Sequence, residues 1–234
     1  MKAYIIHVSD AYERERYIRS QIADKNLDCS FILYGDKKDL SEEVLEKYFA
    51  GEMKTVVADT SCAFKHILSY EEIIKQGNDI ALILEDDISF YLNFNDTFDK
   101  VIKDIKQQGL RNFIVSLEDS YLKYVKGSER KKGTYVYPKS YGRTAGAYLI
   151  DLQGAKSIID QISKNKCHLP IGWFHNHCSK NKVLNIYWSH PVMAIQGSLD
   201  GTIRSLIDNK KFGVKRVLSF KLQRLYKRLL YALR

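Results

Sequence analysis

Three consecutive acids, Glu85-Asp86-Asp87, follow directly on an unbroken apolar run, Ile80-Ala81-Leu82-Ile83-Leu84. Like charges side by side repel unless a cation or a hydrogen-bond network offsets them. Hard divalent ions such as Mg²⁺ and Mn²⁺ prefer carboxylate oxygens. An ion held there can bridge two phosphates and stabilise a departing diphosphate. On an extended chain Glu85 and Asp87 point one way and Asp86 the other, so Asp87 and then Glu85 are the expected metal ligands. A second apolar run, residues 112–117, also ends in acids, Glu118 and Asp119. A carboxylate beside a hydroxyl can take its proton, and these two are the expected general-base candidates. Both acid groups also suit a plainer reading, a solvated turn or a cap for the next helix.

The elements that must position these acids are readable. Residues 3–8 form a first buried strand, 29–33 a second and 80–84 a third. Helices are expected at 12–25, with Ile18 and Ile22 on one face, and at 41–49, capped by Ser41. A longer helix, capped by Asp59 or Thr60, carries Ala63, Ile67, Tyr70 and Ile74 on one stripe and stops at Gly77. Further helices fall near 95–107, 153–163 and 171–180, and strands at 112–117, 145–150, 184–188 and 192–195. Strands alternating with helices predict an α/β fold with a mostly parallel central sheet. Such sheets bind ligands at the carboxyl ends of their strands, where both acid groups fall. Residues 121–143 read as polar and basic, with a loop at 126–133. Their tyrosines (121, 124, 135, 137 and 141) offer flat faces for a sugar, or pack at the domain edge with hydroxyls in water.

Charge is concentrated at one end. Residues 203–234 hold ten basic side chains and one acid, Asp208. Their net charge of +9 equals that of the whole protein, so residues 1–202 are neutral. A neutral main body argues against broad contact with nucleic acid. Two parts are therefore expected: a catalytic domain over 1–202 and a basic segment over 203–234. Within the second part Val214, Leu218, Leu222, Leu225 and Leu229 recur with helical spacing between lysines and arginines. A basic amphipathic helix of this kind suits the surface of an anionic membrane. A helix packed on the domain with its basic face outward, or a dimer contact, is the alternative. No run approaches the roughly 20 apolar residues of a membrane span. The first residues are too short a run for a secretory signal. The expected location is cytoplasmic, peripheral on the inner face of the membrane. The four cysteines lack metal or redox spacing, and His168, His175 and His177 near Cys167 and Cys178 match no usual zinc pattern.

Several segments, taken in order, resemble glycosyltransferase family 25, the lipooligosaccharide biosynthesis transferases related to collagen galactosyltransferases. They are Ile5-Ile6-His7-Val8-Ser9 with Glu13-Arg14-Glu15-Arg16, then Ser61-Cys62-Ala63-Phe64-Lys65-His66, then Ala81 to Asp87. Arg143 to Ile150 with Gly154-Ala155-Lys156 follows, and last Trp173-Phe174-His175-Asn176, Tyr187-Trp188 and Gln196-Gly197-Ser198. The resemblance covers about residues 1–200. It implies a GT-A-like nucleotide-sugar-binding fold, a UDP-sugar donor, Mn²⁺ or Mg²⁺, and a product formed with inversion. It places His7, Arg16, His66 and Asp86 in the donor pocket. Ser61 stands where the family often has glycine, and Gly172 where it commonly has aspartate.

The expected function is a metal-dependent inverting hexosyltransferase. It would move galactose, or next glucose, from a UDP-sugar to a lipooligosaccharide, lipopolysaccharide or related surface glycan. A nucleotidyltransferase is a competing enzyme class, but residues 9–16 supply no glycine- and lysine-rich phosphate loop. A non-enzymatic protein binding membrane or nucleic acid through its tail is the third reading.

Overall fold

The computed structural model describes residues 1–201, 203 and 214–234. The chain opens with β1 (Lys2–Ile6), α1 (Tyr12–Ile22), β2 (Asp28–Ile32) and α2 (Glu42–Tyr48). Next come α3 (Ala58–Gln76), β3 (Ile80–Glu85), β4 (Ile88–Phe90), α4 (Phe94–Gln107) and β5 (Phe113–Ser116). β6 (Val136–Lys139), β7 (Ala147–Asp151), α5 (Leu152–Asn165) and α6 (Ile171–Lys180) follow. The last elements are β8 (Asn185–Ser189), β9 (Ala194–Gln196), α7 (Gly197–Asp200) and α8 (Val214–Leu233).

Seven strands form one sheet in the order β2-β1-β3-β7-β5-β8-β6. β1 runs parallel to β2 and β3, and β5 parallel to β8. β7 is antiparallel to both neighbours, β3 and β5, and β6 is antiparallel to β8. Five of the seven strands thus share a direction, as the alternation of elements predicts.

Successive strand residues serve opposite layers. On β1 and β3, Tyr4, Ile6, Ala81 and Ile83 pack with Ile67 and Tyr70 of α3 and Ile158 of α5. Ala3, Ile5, Leu82 and Leu84 pack with Ile18 of α1 and with Phe98, Val101 and Ile105 of α4. Both faces of the sheet are covered, so the central strands read as unbroken apolar runs.

Local chemistry sets several boundaries. The Ser41 hydroxyl accepts from the Val44 N–H and caps α2. Gly77 ends α3 in the left-handed region with φ 65°. The start of α3 differs from expectation: Val57 precedes the helix, and Asp59 and Thr60 lie inside its first turn. Thr60 donates instead to the Met53 carbonyl at 3.0 Å. The late strand expected at 192–195 is β9, which pairs with β4 in a separate two-stranded sheet. Within the tyrosine-rich stretch, β6 holds Pro138 on the outermost strand, a position that tolerates a missing N–H.

The basic helix α8 presents its two faces unexpectedly. Phe220 and Tyr231 pack on Leu122, Tyr124 and Val192, and Arg224 and Arg228 reach the Asp119 carboxylate. Residues 220, 224, 228 and 231 make one helical stripe. The leucine stripe lies outward: Leu218, Leu222, Leu225 and Leu229 are 57–61% exposed. A Cβ at Gly127 would come within 2.1 Å of the Ala232 carbonyl oxygen, so glycine is needed where the helix end comes in. The junction of the two expected parts, at 202 and 204–213, lies outside the described residues, and with it Arg204, Asp208, Lys210 and Lys211. Among the described residues no helix is long and apolar enough to cross a membrane.

Candidate active site

β3 delivers Glu85 on the face shared with Ala81 and Ile83, toward α3. There Cys62 Sγ donates to Glu85 Oε1 at 3.8 Å, and His66 Nε2 lies 3.5 Å from the same oxygen. Gln196 Nε2 donates to Glu85 Oε2 at 2.6 Å. Asp86 turns the other way, toward α1, where Arg14 Nη1 donates to Oδ1 at 2.6 Å. His7 Nδ1 lies 2.8 Å from Asp86 Oδ2. Asp87 is buried; its Oδ2 accepts from the Ser198 N–H at 3.3 Å and lies 3.8 Å from Arg14 Nη2. The strand alternation that would align Glu85 with Asp87 stops here, because the chain turns at Asp86 and Asp87 into β4. The two acids still feel one another. Burial, then the Asp86 charge, raises Glu85 to about 7. Burial, then the Glu85 charge, raises Asp87 to about 6.

Two hollows meet at Glu85. The first, about 410 Å³, is bordered by His7, Arg14, Lys37, Lys38, Cys62, Glu85 and Asp86. It opens at the carboxyl ends of β1 and β3, where open α/β sheets bind ligands, and its size is ordinary for a small-molecule site. The second, a groove of about 830 Å³, is bordered by Asp59, Cys62, Glu85, Tyr121, Tyr141, Gly172, Trp173 and Gln196. Tyr121, Tyr141 and Trp173 are exposed. Cys62 and Glu85 belong to both linings.

Arg16, expected in the donor pocket, is exposed and borders neither hollow. Arg14 borders the first hollow. It lies four residues before the buried Ile18, on the inward face of α1. Two residues further on, Arg16 has rotated to the far side. The signal for Arg14 was present in that spacing. His66 borders neither hollow; fully buried, its Nδ1 lies 2.8 Å from the Tyr148 hydroxyl. Burial lowers it to about 3, so it is neutral at ordinary pH. His7 and Asp86 do line the first hollow.

Glu118 and Asp119 are fully buried and border neither hollow. Glu118 Oε1 accepts from the Gly146 and Ala147 N–H groups at 2.8 and 3.1 Å, and Oε2 accepts from the Ser120 hydroxyl. Asp119 accepts from the hydroxyls of Tyr91 and Tyr124, both at 2.7 Å, and from Arg224 and Arg228. Their position differs from that expected of a base because β9 and α8 cover this strand end. The bridge of Glu118 to Ala194 marks the closure.

Asp87, the first expected metal ligand, borders neither hollow, and the buried atoms suited to a cation lie behind the hollows rather than in them. Asp87 Oδ1 and His66 Nε2 are buried with no hydrogen-bond partner among the described residues. Cys62, His66 and Glu85 form the one group of three or more described histidine, cysteine and acid side chains whose ligand atoms all lie within 4.8 Å of one another. Cys62 and His66 are four apart on α3 and share a face. The cluster near 167–178 does not converge in this way. His175 is committed to the Tyr70 hydroxyl at 2.7 Å, while Cys167 and Cys178 are buried free thiols.

The protein is thus of the mixed α/β class, a mostly parallel sheet with two hollows that meet at Glu85. Residues 1–172 match glycosyltransferase family 25 (LPS biosynthesis protein), and the chain belongs to that family. It is also 25% identical over 199 residues to a "Glycosyltransferase 25 family member" of Aedes aegypti. The match takes in 77% of this chain and spans 32% of that relative's length. Two solved structures resemble the fold loosely. A197 from STIV does so with 12% identity, a TM-score of 0.41 and 80% of each chain covered. A protein described as a glucose-1-phosphate thymidylyltransferase of Bacillus anthracis, in complex with a sucrose, has 12% identity and a TM-score of 0.40. That match covers 91% of this chain and 78% of the other.

Proposed function

We propose that this chain is a metal-dependent inverting hexosyltransferase. It takes galactose, with glucose next, from a UDP-sugar and passes it to a lipooligosaccharide, lipopolysaccharide or related surface glycan. The observation that carries the reading is the shared border at Glu85. A nucleotide-sized hollow and an aromatic groove meet at one carboxylate. Group transfer needs that arrangement, with donor and acceptor brought together at one point.

The first hollow suits the donor. Lys37 and Lys38 offer cations for a diphosphate at its border, and Arg14 is held in place by Asp86. Asp87 and Glu85 are the residues that would hold Mn²⁺ or Mg²⁺, hard ions that prefer carboxylate oxygens. When bound, the ion would offset the diphosphate charge as the sugar leaves. The groove suits the acceptor. Tyr121, Tyr141 and Trp173 offer faces for sugar C–H surfaces.

We place the base at Asp59 rather than at Glu118 or Asp119. Asp59 and Glu85 are the acids on the groove border. Asp59 lies three residues before Cys62 on α3, so the two share a face beside Glu85. An acceptor hydroxyl resting on the aromatics would pass its proton to that carboxylate as its oxygen attacks the anomeric carbon.

Docking of α8 on an anionic membrane completes the reading. Its leucines are solvent-exposed, and Val214–Arg234 contains seven basic residues and no acid. A second copy would set like charges together, whereas an anionic leaflet attracts them at about 1 kcal/mol each.

The test is UDP release from UDP-galactose and UDP-glucose with Mn²⁺, repeated with EDTA. Release that stops with EDTA supports the reading. No metal-dependent release from any UDP-sugar ends it.

A further inference from the structure

Beside α8 lies a third hollow, of about 570 Å³, bordered by Tyr91, Tyr124, Arg130, His190, Arg224 and Arg228. It shares no lining residue with the donor hollow or the groove. Three arginines therefore border one space, and among the described residues the acid bonded to two of them is Asp119. Asp119 is already saturated by two tyrosine hydroxyls and two arginines. Among the described side chains, one negative charge against three positive leaves an excess of two.

The guanidinium groups are held in place. The Arg224 guanidinium lies 4.3 Å from the Tyr91 ring centre, and that of Arg228 lies 5.5 and 5.8 Å from the Tyr91 and Tyr124 rings. Arg130 is fixed by two bonds to the Val125 carbonyl, at 3.1 and 2.9 Å. Arginine has five N–H groups in a planar fork. Arg224 and Arg228 each spend one on Asp119, so most of their donors are uncommitted to it. His190 is held neutral, its pKa lowered to about 4 by burial and then by the Arg130 and Arg143 charges. It adds a polar ring without a charge. Fixed forks with an excess of two charges match a tetrahedral dianion in geometry and in charge.

We infer that this hollow binds a phosphate group, either the phosphomonoester headgroup of a membrane lipid or a soluble phosphate. The inference does not depend on the donor-site reading. Two of its three arginines come from α8, so an occupied site also fastens that helix to the body.

The test uses the full chain at fixed ionic strength. Inorganic phosphate is titrated while the unfolding midpoint is followed, for the native protein and for Arg130→Gln, Arg228→Gln and Arg14→Gln. The expected result is a saturable rise in midpoint, because a ligand of the folded state stabilises it. Arg130→Gln and Arg228→Gln should each weaken the apparent affinity about tenfold, the scale of one charged hydrogen bond. Arg14→Gln should leave it unchanged. Flotation with vesicles of phosphatidic acid in phosphatidylcholine then separates the sources. Binding that falls in both hollow variants and is competed by phosphate assigns a lipid headgroup; flotation equal across variants assigns soluble phosphate. Arg130→Lys keeps a charge and controls for folding. The inference is overturned if phosphate gives no shift, or if the shift survives Arg130→Gln and Arg228→Gln. Loss of the shift in Arg14→Gln alone would return the phosphate to the donor hollow.

Discussion

Two strands of this sheet end alike in sequence and unlike in space. β3 runs into Glu85-Asp86-Asp87, and the chain after β5 runs into Glu118-Asp119. At the first end Glu85 borders two hollows. At the second both carboxylates are fully buried, one pinned by backbone N–H groups and the other by tyrosines and arginines. The difference comes from what covers each end. The acids at the tip of β3 bond to Arg14 of α1, Cys62 of α3 and Gln196 of β9 yet leave Glu85 bordering open space, whereas the bridge of Glu118 to Ala194 and the arginines of α8 close over the tip of β5. An acidic strand end thus borders open space in one region and is enclosed in the other.

The sharpest way to break that comparison is to exchange a charge in each region. Asp59→Asn, on the groove, should lower kcat on the order of 10²–10⁴-fold with donor KM unchanged. Glu118→Gln should leave kcat within about threefold, since it touches no substrate. If steady-state kinetics showed the reverse, the base would belong at β5 after all.

Stability should respond the opposite way. Glu118→Ala orphans two buried N–H groups and should cost about 2–4 kcal/mol in urea unfolding. Glu118→Gln keeps an acceptor oxygen and should lose far less. Burial raises Glu118 from 4.5 to about 7. Between those values the folded state holds the extra proton, so this group's contribution to stability falls as pH rises from about 4.5 to about 7. Native protein should lose stability relative to Glu118→Gln over that interval. A parallel pH dependence of the two proteins would remove Glu118 as the cause.

Within the open region, Arg14→Gln should lower kcat/KM for the donor about 10–100-fold, the scale of a charged hydrogen bond or two. Arg16→Gln should change it by less than about twofold, as exposed charges do. Equal effects of the two would contradict the rotation assigned to α1. The last comparison concerns α8. The pair Leu222→Ser and Leu225→Ser should cut binding to anionic vesicles about tenfold or more, given the transfer energy of a leucine side chain. Partitioning that does not move would leave the exposed stripe without a lipid role.

Much of this was legible in the residues. Continuous apolar runs gave the inner strands, because both sheet faces are covered, and Ser41 and Gly77 marked helix ends through their own cap chemistry. Arg14 was legible in principle, four residues from Ile18, but a motif containing both arginines hides which one faces in. The roof over Glu118 could not be read, since it depends on residues 194 and 224–228 folding back across 75 or more positions. β4 and β6 are three and four residues long, too short for periodicity to separate them from loop. The helical spacing of α8 was plain, yet spacing alone does not say which of two stripes meets the body. Arg224 and Arg228 point inward because a buried carboxylate waits there.

The antiparallel β7 at the centre of the sheet has a consequence for assembly. β1, β2 and β3 lie within the first 85 residues and can pair as soon as that stretch is available. Joining them to β5 requires residues 147–151, which insert as the seam between the two halves. Contacts across that seam span 32 to 71 positions in sequence, and such long-range pairing is slow to form. During synthesis, then, an early amino-terminal half should wait with one strand edge bare until the seam arrives.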